Sequence, residues 1–139
     1  CLCVTEPFGG SDVAGMKTTA VKEGDFYTIN GSKTFITNGV YSDYLIVAAK
    51  TDASSKHAGM SIFIIDRETP GISATKLDKL GWKASDTGEI AFDNVKVPLE
   101  NLMGEEGKGG GKTGDLYLKV RIRKSLLKSV KNFMAQLRK

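Results

Sequence analysis

The feature that most limits the fold is a series of short β-prone runs, separated by polar turns, that fills the first hundred residues. The runs at 44–49 and 60–65 are nearly continuous stretches of apolar and β-branched residues, as in strands that are buried on both faces. The run at 90–98 partly alternates and stops at Pro98. About six strands at this spacing, without a convincing helix before residue 99, predict a mainly β domain, either a small β-sandwich or a barrel.

The pair Asn30-Gly31 predicts a tight hairpin. It lies between two β-prone runs, residues 26–29 and 33–36. Asparagine followed by glycine supplies the positive φ angles that a two-residue hairpin turn requires. We therefore expect the chain to reverse its direction between these runs.

The distribution of charge and glycine indicates a boundary near residue 104. Residues 1–103 carry ten Lys and Arg against thirteen Asp and Glu, whereas residues 104–139 carry ten against three, so the net charge of +4 comes from the tail. The glycine-rich stretch 104–114 between them predicts a flexible linker. This stretch does not fit the phosphate-binding loop pattern, because Glu106 occupies a position that requires glycine.

The tail combines two basic amphipathic patterns. Residues 115–123 alternate as in a strand, and residues 125–139 repeat apolar side chains at helical spacing. A basic amphipathic helix can bind a membrane surface, an acidic partner or the acidic body of its own chain, and these alternatives stay open. The lack of aromatic stacking residues disfavours nucleic acid as a partner.

Cysteine and histidine supply few candidate ligands. Cys1 and Cys3 fall on one face of a strand, where they are poorly placed for a disulfide, and we predict buried thiols. The single histidine, His57, lies in a polar loop, so we predict no metal site. The sequence contains no run of about 20 apolar residues and no signal segment, so we expect an intracellular protein, cytoplasmic or in the mitochondrial matrix. Because the chain opens at Cys1 within a predicted strand, we expect a fragment of a longer protein.

Six blocks of the sequence together resemble the middle β domain of acyl-CoA dehydrogenases. They match in order and spacing from residue 1 to about residue 108, and any one of them alone would be weak. The blocks are Val4-Thr5-Glu6-Pro7, Gly10-Ser11-Asp12, residues 29–39, Thr69-Pro70-Gly71-Ile72, Ser85-Asp86-Thr87 and residues 92–98.

The resemblance implies FAD as cofactor. In the family's arrangement Thr5 serves the pyrimidine edge of the flavin, Phe35 stacks on the ring where relatives often carry Trp, and the Thr37 hydroxyl points to N5. The alternative is a core aromatic residue and turn-forming hydroxyls. The full set of residues that the resemblance assigns to the cofactor is Cys3, Val4, Thr5, Gly10, Ser11, Phe35, Ile36 and Thr37.

The resemblance also implies an acyl-CoA substrate. Ser11 would lie where the FAD phosphates and the thioester arm meet, and Ser55 and Lys56 suit the CoA phosphates, although a solvated loop is an equal alternative. The implied reaction is α,β-dehydrogenation, with electrons passing to an electron-transfer flavoprotein. A homo-oligomer is possible by family.

The family's catalytic glutamate belongs to a helical domain that this sequence does not match, and Glu6 is better interpreted as structural. No residue of the chain is therefore assigned as catalytic. We expect the chain to form one wall of the flavin and thioester site and to be inactive alone. Two alternatives remain open: a non-catalytic scaffold module that acts through the basic tail, and a non-native fragment or fusion.

Overall fold

The structure, a computed structural model, describes residues 1–55 and 59–109. His57 and the predicted strand and helix of the tail lie outside the described residues. The described part is mainly β, which confirms the predicted fold class. It contains two three-residue 3-10 turns, Val13–Gly15 and Leu99–Asn101. Its eight strands are β1 (Leu2–Cys3), β2 (Thr19–Glu23), β3 (Phe26–Thr37), β4 (Tyr44–Lys50), β5 (Met60–Asp66), β6 (Ile72–Lys76), β7 (Thr87–Pro98) and β8 (Leu102–Met103).

All eight strands belong to one sheet, which curls over its own core. The strand order is β6-β7-β3-β2-β4-β5-β8, with β1 paired to β4. Strands three places apart in a flat sheet would lie about 14 Å apart. The rings of Tyr27 on β3 and Phe63 on β5 nevertheless meet edge to face, with centroids 5.0 Å apart. The curl therefore brings distant strands together around one apolar centre.

The sheet has a narrow seam between β2 and β4. These two strands run parallel and are paired only at Thr19 and Lys50. One backbone hydrogen bond from Lys50 N–H to the carbonyl of Thr18, 2.8 Å long, reinforces the seam. On one side the sheet continues through β3, and on the other through β5 and β1.

The core is made from the inward-facing positions of the central strands. Alternation in β7 turns every second side chain inward, whereas β4 and β5 are buried along most of their length. This agrees with the continuous apolar runs at 44–49 and 60–65. The core cluster contains Cys3, Ala20, Tyr27, Ile29, Ile36, Leu45, Val47, Ala49, Phe63, Ile65, Ile90, Phe92, Val95 and Val97.

The predicted hairpin at Asn30-Gly31 is wrong. Strand β3 passes straight through this pair, and the chain reverses instead at Gly24 and Asp25, between β2 and β3. Gly31 has φ +146° and lies at a shift in the register between β3 and β7. A Cβ atom there would approach within 2.6 Å of the Thr18 hydroxyl oxygen and 2.7 Å of the Thr18 Cα. Glycine is required for close approach, not for a turn.

The first residues of the predicted linker pack on the body. Gly107 N–H donates to the Ser61 hydroxyl at 2.8 Å, and Gly109 N–H donates to the Met60 carbonyl at 2.7 Å. The Tyr27 hydroxyl donates to Glu106 at 2.9 Å. Residues 104–109 thus pack on the β body, and residues 110–114 lie outside the described part. Within that part, no helix has the length and apolar character needed to span a bilayer.

Cys1 and Cys3 are free thiols with sulfur atoms 3.6 Å apart. Burial raises the pKa of the Cys3 thiol to about 11, so this thiol stays protonated and unreactive at pH 8. We expect iodoacetamide at pH 8 to alkylate the half-buried Cys1 and to leave Cys3 unmodified, as read by peptide mass spectrometry. The same reaction in urea should modify both thiols. Equal rates in the native chain would contradict the buried position of Cys3.

Candidate functional site

The segment 4–11 forms a tight turn beside β3. Glu6 and Gly9 exchange two backbone hydrogen bonds of 3.1 Å, which close the turn and leave Phe8 exposed at its tip. A Cβ atom on Gly10 would meet the Thr5 methyl group at 3.5 Å, so the end of the turn folds back against Thr5. Gly10 and Ser11 are exposed.

The Glu6 side chain fixes this turn from inside. Its carboxylate accepts hydrogen bonds from Lys17 N–H (2.6 Å), Thr18 N–H (2.9 Å) and the Thr18 hydroxyl (2.6 Å). It also forms a 2.9 Å ion pair with Lys33 of β3, whose side chain is 0% exposed. The Lys33 ammonium donates in addition to the Val4 carbonyl at 3.2 Å. Glu6 is thus a structural group that binds the turn to β3.

The donors around Glu6 determine its charge. Burial raises the pKa of the Glu6 carboxyl, but the hydrogen bonds from Thr18, Lys17 and Lys33 outweigh burial and hold this pKa below its ordinary value. Burial lowers the pKa of the Lys33 ammonium, and Glu6 opposes that fall. The Glu6 carboxyl group is therefore ionised at neutral pH. In this state it accepts the hydrogen bonds from Lys17, Thr18 and Lys33.

Phe35 stands out of the sheet in a strained backbone conformation. Its φ angle is +56°, in the left-handed region that bulky residues rarely adopt, and the register between β3 and β7 shifts between Lys33 and Ile36. The resulting bulge leaves the Phe35 side chain 69% exposed. Bulges of this kind redirect side chains and occur frequently beside active sites. The structure thus presents a flat aromatic face to solvent on a rigid strand.

One backbone hydrogen bond joins the turn to the bulge. Thr34 N–H donates to the Thr5 carbonyl at 2.9 Å. Phe35 directly follows Thr34, and Thr37 lies three residues after it, so this hydrogen bond places the turn that contains Thr5 beside the segment of β3 that carries Phe35 and Thr37. Thr37, like Phe35, is exposed, and Thr5 is half-buried.

The remaining predicted site residues differ in accessibility. Cys3 and Ile36 are core residues at 0% and 3% exposure, so their side chains face away from any ligand and only their backbone could take part. Val4 is half-buried. Ser55 is half-buried in the loop that follows β4, and Lys56 lies outside the described residues.

Sequence reasoning missed three side chains that shape this region. Lys33 is an inward-facing lysine in a β-prone run, and its only sequence signal was the acidic Glu6 in a neighbouring block. Thr18 carried no signal. Asp86 was part of a matched block without an assigned role, yet its carboxylate accepts hydrogen bonds from Val40 N–H (2.7 Å) and Tyr41 N–H (3.2 Å).

The chemistry of the region suits a flat, partly polar ligand. An exposed aromatic face, on a segment next to an exposed glycine turn and with two threonines nearby, can support one face of a ring system, and the neighbouring polar groups can hydrogen-bond its edge. Within residues 1–55 and 59–109, no group of three or more His, Cys, Asp or Glu side chains is placed to hold a metal ion.

Comparison with known proteins identifies the domain. The family model described as "Acyl-CoA dehydrogenase, middle domain" matches residues 1–95. Cyclohex-1-ene-1-carbonyl-CoA dehydrogenase of Syntrophus aciditrophicus is 52% identical over 106 residues, which cover 76% of this chain and 26% of the relative. The crystal structure of acyl-CoA dehydrogenase from Geobacillus kaustophilus is also 52% identical, with a TM-score of 0.75 over 78% of this chain and 29% of that one.

A solved FAD-dependent dehydrogenase is similar as well, with 37% identity and a TM-score of 0.76 over 78% of this chain and 30% of that one. The chain therefore spans between a quarter and a third of the length of these relatives. Family model, sequence identity and shared fold agree over the same β body. The chain belongs to the acyl-CoA dehydrogenase family, and its residues 1–95 are the middle domain of that family.

Proposed function

We propose that the β body forms one wall of the site in which an FAD-dependent acyl-CoA dehydrogenase oxidises a thioester substrate. The observation that carries the proposal is the Phe35 bulge: an aromatic side chain is held out of the sheet at φ +56°, directly beside the glycine turn that contains Thr5. A left-handed conformation costs a non-glycine residue about 1–2 kcal/mol. Strained conformations of this kind occur at ligand-binding sites, and a ligand that stacks on the exposed ring accounts for the strain at Phe35.

Each accessible site residue then has a specific role. Phe35 supports one face of the isoalloxazine ring, and Thr5 and Thr37 offer hydroxyl groups to its edge. Gly10 permits close backbone approach, and Ser11 lies where the phosphates of FAD and the thioester arm of the substrate would meet. Lys33 and Glu6 act indirectly, because their ion pair holds the turn that contains Thr5 against β3.

When bound, FAD supplies a two-electron acceptor for the hydride that leaves the β carbon of an acyl-CoA. The described residues orient the ring and exclude water from one of its faces, because they present a packed sheet on that side. The base that removes the α proton is not assigned among them. We assign an electron-transfer flavoprotein as the protein that receives the electrons, in line with the family.

The stacking role predicts a specific loss of FAD affinity. We expect Phe35→Ala to weaken FAD binding by the purified chain about tenfold, because an aromatic stacking contact is removed. Thr37→Ala should weaken it about fivefold, the typical effect of one lost hydrogen bond. The measurement is a titration followed by quenching of flavin fluorescence.

Trp82→Ala provides a matched control. Trp82 is also an exposed aromatic residue, at 86% exposure, with a left-handed backbone at φ +54°, but it lies in the loop between β6 and β7. This variant should bind FAD as the unmodified chain does. Absence of saturable FAD binding by the unmodified chain, or equal weakening by Trp82→Ala and Phe35→Ala, would contradict the proposal.

A further inference from the structure

The loop that follows Thr37 is held by hydrogen bonds to most of its backbone amides. Asn38 N–H donates to the backbone carbonyl of Asp86 at 3.1 Å, and Val40 and Tyr41 N–H donate to one carboxylate oxygen of the same residue. Ser42 N–H donates to the Asn38 carbonyl at 3.1 Å. A single residue, Asp86, thus binds three of the donors along residues 38–41.

Arg67 lies between β5 and β6 and donates hydrogen bonds to acceptors in the loop that follows Thr37. Its Nε donates to the Ser42 carbonyl at 3.1 Å, and its Nη2 donates to the Gly39 carbonyl and, at 3.2 Å, to the Ser42 hydroxyl. Arg67 N–H also donates to the Asp43 carbonyl at 2.8 Å. The Asp86 carboxylate therefore binds N–H donors of this loop, and the Arg67 guanidinium binds carbonyl acceptors of the same loop.

The arrangement that holds the loop also has an energetic cost. Asp86 is only 5% exposed. Within the described part of the chain, Asp86 Oδ1 and Arg67 Nη1 are buried without a hydrogen-bond partner. A buried polar atom without a hydrogen-bond partner destabilises the folded chain.

The position of Asp86 in the sheet connects the braced loop to Thr37. Asp86 directly precedes Thr87, which is the register partner of Thr37 across β3 and β7. Its carboxylate in turn holds the loop into which the chain runs after Thr37. Thr37 is therefore fixed on its strand side by Thr87 and on its loop side by the Asp86 carboxylate.

We infer that Asp86 and Arg67 are positioning residues that fix the Thr37 hydroxyl toward the flavin edge by bracing residues 38–43. This inference rests on the proposed function for its ligand, but the bracing itself can be measured without one. Neither side chain needs to touch the cofactor. The substitution of either should affect the cofactor only through Thr37.

The first arm of the test uses the full chain without ligand. We expect Asp86→Ala to raise amide hydrogen exchange at Val40 and Tyr41 at least about tenfold and to shift the Thr37 amide resonance, because two hydrogen bonds to these amides are lost. Asp86→Asn keeps an oxygen acceptor and should restore most of the protection. Asp66→Ala is the matched control, since Asp66 also caps a loop amide, that of Glu68 at 3.0 Å, in an exposed turn.

The second arm measures FAD affinity in a double-mutant cycle. Asp86→Ala should weaken FAD binding about as much as Thr37→Ala, and the double variant should bind no more weakly than Thr37→Ala alone, because both substitutions remove the same contact. If Asp86→Ala does not fold, the same double-mutant cycle can be measured with Arg67→Gln. This substitution removes the guanidinium group that donates to Gly39 and Ser42.

The outcomes separate the two proposals. Additive losses in the cycle, or an unchanged Thr37 resonance in Asp86→Ala, overturn the positioning role even if the chain binds FAD. If the unmodified chain does not bind FAD, the proposed function fails. The hydrogen-exchange measurement on the ligand-free chain is then the test of whether Asp86 braces the loop. In that case selective deprotection of residues 38–41 and a shifted Thr37 resonance support the bracing, and a response equal to that of Asp66→Ala overturns it.

Discussion

Replacement of Lys33 by alanine is expected to lower the free energy of unfolding by about 3–5 kcal/mol. The Lys33 side chain is fully buried and pairs with Glu6 at 2.9 Å. Its removal leaves the Glu6 carboxylate buried without its counter-charge and the Val4 carbonyl without its donor. Urea unfolding of the full chain, followed by far-ultraviolet circular dichroism, gives the change in free energy. Lys22→Ala, an exposed lysine on β2, is the control and should change stability by less than about 0.5 kcal/mol.

The double variant Lys33→Met with Glu6→Gln separates two causes of lost stability, the loss of the Glu6–Lys33 interaction and the loss of the lysine side chain itself. Because each single substitution leaves the other charge buried, the double variant should be more stable than the sum of the single losses predicts. Strict additivity would show that the two groups do not act as a pair.

The pair also predicts the acid response of the chain. The pKa of Glu6 is lower in the folded chain than the ordinary value of 4.5, so its contribution to stability is complete above that pH and is lost as the pH falls through the folded pKa. Glu6→Gln should remove this part of the pH dependence.

Gly31→Ala is the second large effect, with an expected loss of about 3 kcal/mol. The new methyl group would lie 2.6–2.8 Å from three atoms of Thr18, one of them the backbone Cα, and φ +146° is itself unfavourable for alanine. Any movement of Thr18 disturbs its hydrogen bonds to Glu6. Chemical denaturation measures the loss, and a parallel drop in FAD affinity should accompany it.

Gly24→Ala separates conformation from contact. Gly24 has φ +60° in the turn between β2 and β3, and a Cβ atom there would meet nothing within 4 Å. Its substitution should cost about 1 kcal/mol, the conformational part alone. If Gly31→Ala costs no more than Gly24→Ala, the close approach of Thr18 is not important for stability.

These glycines show which parts of the fold a sequence can predict. Strands β4 and β5 were predicted nearly to their ends, because continuous apolar, β-branched runs have few other stable conformations in a small β domain. The hairpin was placed at Asn30-Gly31 instead of Gly24-Asp25 because positive φ at glycine has two causes, a turn or a close contact. The cause at Gly31 is Thr18, thirteen residues earlier, which no local pattern shows.

The candidate site was predictable in a similar, partial way. Resemblance across six blocks indicated Thr5, Phe35 and Thr37, and the structure brings their segments together through Thr34. It could not indicate the left-handed conformation of Phe35, which arises from a shift in register with β7. The burial of Cys3 and Ile36 follows from which face of the curled sheet closes on the core, and this is a property of all the strands together.

The narrow seam of the sheet has a mechanical consequence. Only the Thr19 and Lys50 pair joins β2 to β4, so strand pairing alone gives this seam little resistance to separation. The segment that follows β1 crosses this seam: β1 pairs with β4, and the turn after it is bound to β3 by the Glu6–Lys33 ion pair and by the Thr34 N–H to Thr5 carbonyl hydrogen bond. Loss of the Glu6–Lys33 ion pair should therefore weaken the seam as well as the turn, so that the two halves of the sheet separate under a lower pulling force.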